Sequence, residues 1–122
     1  MISRKELNPH GYPETSEISQ NLDILLEAMN RVREVWGRPM IVTSGLRDIS
    51  DQHRINPSVP HSKHLIGAAC DIADPKGDLY AWALNNESLL RDCGIKGIEL
   101  GTIGWVHFQI LPVVSGHFYF KP

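Results

Sequence analysis

Between Ser62 and Asp71 the chain reads Ser-Lys-His-Leu-Ile-Gly-Ala-Ala-Cys-Asp, and no other stretch limits the fold as much. From Leu65 this run reads as a buried strand, Ala68 to Ile72, with Ala69 and Asp71 on one face. Cys70 then turns the other way, into the core, as a small apolar residue. A second strand reads Trp105-Val106-His107-Phe108-Gln109-Ile110. Its Val106, Phe108 and Ile110 form an apolar face, and Trp105, His107 and Gln109 form the other. His64, Asp71 and His107 are therefore candidate ligands of one zinc ion. Zinc takes about four ligands of these types, and a catalytic zinc keeps one position for water. Gly67 and Ala69 leave room for the ion and a substrate. Singly, each residue has a plainer reading: a strand histidine is most often only hydrogen-bonded, and an aspartate can close a strand. Together, Ser62-x-His64-x-x-Gly67-x-Ala69-x-Asp71 fixes five positions, a pattern that average residue frequencies produce about once in a million starts.

The rest of the chain supplies a frame. Ile18, Leu22, Leu25, Met29, Val32 and Trp36 recur at spacings of four and three, which predicts a helix from about Ser16 to Trp36. Ser16 is the expected cap, Leu26 and Val35 widen the stripe, and Gly37 and Pro39 end the helix. Residues 1–16 read as an irregular lead-in with an exposed His10. Met40-Ile41-Val42-Thr43 is a short buried strand, and Gly45 gives a sharp turn after which Arg47 projects. Arg47 is either a surface cation or, placed just before the metal motif, part of a site. Residues 48–61 read as a long loop, in which His53 and His61 are solvated. Asp78 is expected to cap a helix to about Asn85, and a second helix runs from Glu87 to Cys93, ending at Gly94. A strand spans Ile95 to Leu100, and residues Gly116 to Phe120 add an edge strand.

A length of 122 residues with 42% hydrophobic and 21% charged side chains fits one globular domain, 1–122. The net charge is −2 and there is no basic block, which argues against a nucleic-acid partner. The apolar runs are too short to insert in a membrane. Met1-Ile2-Ser3-Arg4-Lys5 is not followed by an apolar core, so no signal peptide is expected. Cys70 and Cys93 make no disulfide framework, which suits synthesis in a reducing cytoplasm.

Ser44-Gly45-Leu46-Arg47, the Ser62 to Asp71 pattern and Trp105-x-His107 together resemble the zinc D-Ala-D-Ala carboxypeptidase family. That family includes phage L-alanyl-D-glutamate endopeptidases and shares its fold with the signalling domain of hedgehog. The similarity runs from about Ile18 to Ile110 and is nearest to the small phage or prophage members. It implies an α+β fold, an antiparallel sheet with helices packed against it. It implies that His64, Asp71 and His107 bind zinc and that Arg47 binds the scissile carbonyl and its oxyanion. Many relatives carry the catalytic glutamate three residues before the last histidine, where this chain has Gly104. Others carry it on the preceding strand, where Glu99 stands. His61 and Glu87 are the competing candidates for the base. Ser62, His61 and Trp105, which flank the ligands, are the expected substrate contacts. Leu46 replaces a commoner tyrosine.

The implied reaction is metal-assisted hydrolysis of an amide in the peptidoglycan stem peptide, with Glu99 moving the proton. The protein would then act at the cell wall after lysis, holin-type release or virion delivery. Two rivals stand beside this reading. One is a zinc-bearing binding or structural domain without turnover, which the absence of Glu at position 104 favours. The other is a small D-Ala-D-Ala dipeptidase.

Overall fold

The computed structural model describes residues 1–58 and 62–122. Helix α1 (Arg4–Leu7) precedes the long helix α2 (Ser16–Trp36), strand β1 (Val42–Ser44) and helix α3 (Ile49–Ile55). A single 3-10 turn (Lys63–Ile66) leads into β2 (Ala69–Asp74). Then come α4 (Asp78–Leu84), α5 (Glu87–Cys93), β3 (Gly97–Glu99), β4 (Gly104–Gln109) and β5 (Tyr119–Phe120). Among the described residues the strands form one sheet in the order β1-β2-β4-β3-β5, antiparallel except for the parallel β3–β5 pair. This is the expected α+β architecture.

Helix α2 buries Leu22, Leu25, Ala28, Met29 and Val32. A buried Leu or Met side chain contributes about 1.5–3 kcal/mol, whereas one cap contributes about 1 kcal/mol. The apolar face therefore fixes this helix, and the caps only trim its ends. Thr15, not Ser16, is the cap, accepting from the Ile18 amide. Val35 is exposed and adds nothing to the stripe.

Four other expectations need correction. Residues 1–16 contain a one-turn helix whose N-terminal end is closed by Ser3 and Glu6, each side chain accepting from the other's amide. Residues 48–55 are not loop, because Asp48 caps α3 by accepting from the Asp51 amide. Helix α4 has Gly77, not Asp78, at its cap position, and it is the buried Asp74 carboxylate that accepts from the Leu79 and Tyr80 amides. Gly45 serves close approach rather than a left-handed turn. A Cβ there would lie 2.3 Å from the Leu7 carbonyl oxygen, which already accepts from the Leu46 amide at 2.8 Å. The lead-in is thus tied to the end of β1, next to Arg47.

The ladder from β2 to β4 runs without a break from Ala69↔Gln109 to Asp74↔Gly104 and centres on Asp71↔His107. Ser44 on β1 pairs with Asp71. Gly97 and Ile98 on β3 pair with Gln109 and Phe108, which sets Glu99 across from His107 one step further. Glu99 in turn pairs with Phe120 on β5. Paired positions share a face of the sheet. Ser44, Asp71, His107, Glu99 and Phe120 therefore form one row across all five strands. The opposite face carries Cys70, Ile72, Val106, Phe108 and Ile98, all buried in the core with α2 and α5. Among the described residues no helix is long and apolar enough to cross a membrane.

Candidate metal and active site

Ser44, Asp71, His107 and Glu99 of this row line a cleft of about 560 Å³, a size typical of small-ligand sites. Arg47, His64, Asp71, Glu99, Trp105 and His107 line it together with Ser44, Gln52 and Ser62. His64 enters from the 3-10 turn, where Ser62 accepts from the His64 amide at 3.2 Å. Ser62 thus has a structural task as well as a place on the cleft wall. Trp105 is half-buried on the wall. His61 lies outside the described residues. Glu87 is on the surface, bonded to Arg91 at 2.9 Å, and does not line the cleft. His53 and His10 are exposed, as expected.

Three ligand-type atoms converge. Asp71 Oδ1 is 3.1 Å from His64 Nε2 and 3.0 Å from His107 Nδ1. A set of ligand atoms from these three buried residues lies within 4.8 Å of one another. The remaining ring nitrogens are already engaged: His64 Nδ1 is 2.8 Å from the Gly45 carbonyl, and His107 Nε2 is 2.8 Å from Gln109 Oε1. Both of those partners are acceptors, so each ring, when neutral, carries its one proton on the outer nitrogen. The inner nitrogens then offer lone pairs toward a carboxylate, which is unfavourable unless a cation sits between them. The donor set of two imidazoles and one carboxylate oxygen suits zinc. Ligands about 2.0–2.1 Å from a tetrahedral zinc stand about 3.3 Å from each other, so the two contacts of Asp71 Oδ1 need open by only a few tenths of an ångström.

The charges agree with this picture. Burial alone would raise the Asp71 carboxyl, but His64 and His107 offset it by charge and hydrogen bonding and hold it well below the usual carboxylate range. Burial lowers His64, which keeps it neutral despite Asp71. Burial also disfavours His107⁺, yet the charged ring would donate to both Asp71 and Gln109 and face Glu99, which leaves it above its ordinary value. Burial pushes the Glu99 carboxyl up, and His107 and Arg47 pull it part of the way back.

Arg47 is not a surface cation. It is 9% exposed and held at three nitrogens: Nε by Ser44 Oγ at 2.9 Å, one terminal nitrogen by Gln52 Oε1 at 2.9 Å, and the other by Asp71 Oδ2 at 3.0 Å. The pairing with Oδ2 leaves Oδ1 for the histidines. Ser44, Gln52 and Gln109 are polar members of the site that sequence reasoning missed. Only Gln109 carried a signal, since it shares the His107 face two residues along the strand.

Gly104 has φ 88°. A glutamate three residues before His107 would therefore have to adopt a strained left-handed backbone. Glu99 reaches the same cleft from the neighbouring strand.

The family model described as Peptidase M15 matches residues 3–109 of the chain. Among solved structures, the L-Ala D-Glu endopeptidase ChiX of Serratia marcescens is similar over 86% of this chain and 95% of that chain. The TM-score is 0.53 and the sequence identity 24%, a likeness of fold. None of the curated proteins matches.

Proposed function

This chain belongs to the Peptidase M15 family, and we propose that it is a zinc-dependent hydrolase of the peptidoglycan stem peptide. The observation that carries this reading is that Glu99 and Arg47 line the same cleft as His64, Asp71 and His107. The L-Ala D-Glu endopeptidase whose fold resembles this one supports the choice of substrate. His64 Nε2, His107 Nδ1 and Asp71 Oδ1 would hold the ion. Zinc, when bound, supplies a Lewis acid for the scissile carbonyl and lowers the pKa of water in its open position.

Glu99 accepts the proton from the attacking water and returns it to the leaving amine. Burial has already raised its pKa, which brings it nearer to the range where both transfers are easy. Arg47 keeps its charge at working pH and directs donors at the developing oxyanion. Its fork is held by Ser44, Gln52 and Asp71, so little reorganisation is needed as charge develops. Ser62 and Trp105, which line the same cleft, contact the peptide, and His61 is the third residue proposed for that role.

Digestion of purified muropeptides by the zinc-loaded protein, followed by mass spectrometry, tests the reading. New termini within the stem peptide are expected, and they identify the bond. Stoichiometric zinc and retention on sacculi without any new terminus would overturn it in favour of a binding domain.

A further inference from the structure

His107 could bind a metal through either ring nitrogen, and a strand backbone does not choose between them. We infer that Gln109 is the positioning residue that makes the choice, fixing the proton on His107 Nε2 so that Nδ1 faces the site. The inference rests on the metal-site reading above.

Gln109 cannot present its amide in both ways. Its Nε2 donates to the Leu111 carbonyl at 2.6 Å. Rotating the amide by half a turn would set its oxygen against that carbonyl oxygen and its NH₂ against the His107 ring. The backbone of Leu111 therefore fixes Oε1 toward His107, where it is 2.8 Å from Nε2. An acceptor at that place requires a proton on Nε2. A neutral imidazole has one N–H, so the Nδ1 lone pair is left facing Asp71 Oδ1 at 3.0 Å. The His64 ring meets the same requirement through a backbone carbonyl, that of Gly45, which no side-chain substitution removes. For His107 the selection depends on one replaceable side chain.

The fold makes space for that side chain. Gln109 is 2% exposed and pairs with Gly97 across β3 and β4. A Cβ on Gly97 would lie 3.0 Å from Gln109 Cγ and 3.1 Å from the Phe120 ring. Phe120 in turn meets His107 edge to face, with centroids 6.0 Å apart. The vacancy at Gly97 thus lets Gln109 and Phe120 press on the same imidazole.

The test compares the wild type with Gln109→Met, which keeps the volume and removes the acceptor. Long-range ¹H–¹⁵N spectra of the metal-free protein, recorded at rising pH until the His107 signals stop shifting and the ring is neutral, read the tautomer directly. Wild-type His107 is expected to carry its proton on Nε2 alone, and Gln109→Met to show both tautomers. Zinc competition against a chromophoric chelator is expected to show binding about 10–100-fold weaker in Gln109→Met, as for other partners that orient metal-binding histidines. A folded Gln109→Met with unchanged tautomer and unchanged zinc affinity would reduce Gln109 to packing. Wild-type His107 carrying its proton on Nδ1 would overturn the inference even if the variant failed to fold. Wild-type protein that binds no zinc would instead remove the metal site itself.

Discussion

Asp71 stands directly opposite His107 in the β2–β4 ladder, and its Oδ1 lies 3.0 Å from His107 Nδ1. The other oxygen of the same carboxylate is 3.0 Å from Arg47. One side chain therefore joins the candidate ligands to the candidate oxyanion donor.

One zinc ion per chain is the expected stoichiometry after reconstitution, read by elemental analysis. His64→Ala or His107→Ala should abolish it, and zinc should raise the melting temperature of the wild type. Binding releases protons, so affinity should fall as the pH drops through the histidine range. Loss should begin at His107, whose folded pKa lies above the ordinary value while that of His64 lies below.

Glu99→Gln keeps the size of the side chain and removes its basic oxygen. It should retain stoichiometric zinc while stem-peptide hydrolysis falls by about 10²–10⁴. The same substitution at Glu87, bonded on the surface to Arg91, should leave the rate unchanged. An unaltered rate in Glu99→Gln would move the base elsewhere, with His61 the next residue to test.

Arg47→Ala should lower turnover by about 10²–10³, as the loss of an oxyanion donor does. It also leaves one oxygen of the buried Asp71 carboxylate without the donor it faces now. The metal-free protein should therefore lose about 1–3 kcal/mol of stability. Zinc on Asp71 offsets part of that loss, so denaturant midpoints of the loaded variant should lie closer to the wild type. Arg47→Lys keeps the charge without the fork and should restore stability better than rate.

Arg4 binds Glu14 through two nitrogens, at 2.6 and 3.0 Å. Its hydrogen bond, with that of Asn8, lowers the Glu14 carboxyl from 4.5 to about 2. A depressed carboxylate stabilises the fold fully above its unfolded pKa, and that contribution disappears as pH falls through the folded value. Glu14→Gln should therefore cost stability at neutral pH, and the cost should fade as pH falls through about 2. The pair is largely at the surface, so the difference should stay below about 1 kcal/mol. Urea titrations over this pH window check it.

Legibility in the sequence followed the physics of each element. Helix α2 and strands β2 and β4 were readable because their apolar positions repeat with the right period. Helix α3 was not, because its buried residue is the polar Gln52 and its Ile49 and Ile55 are exposed. The parallel direction of β5 was hidden as well, since nothing local in Tyr119–Phe120 records which strand it joins. The candidate ligands stood out through their spacing. Ser44 and Gln52 did not, because they act on Arg47 from two separate elements, and no motif joins them.

The row from Ser44 through Asp71, His107 and Glu99 to Phe120 also sets a condition on timing. Each strand contributes one residue, and the chain order of those residues spans most of the sequence. A slip of one residue in any strand turns its contribution to the opposite face. No fragment or half-paired sheet holds the whole set, and such distant pairings are slow to form. On the proposed function, a partly folded chain is therefore inert, and reactivity arrives in a single step with the completed sheet.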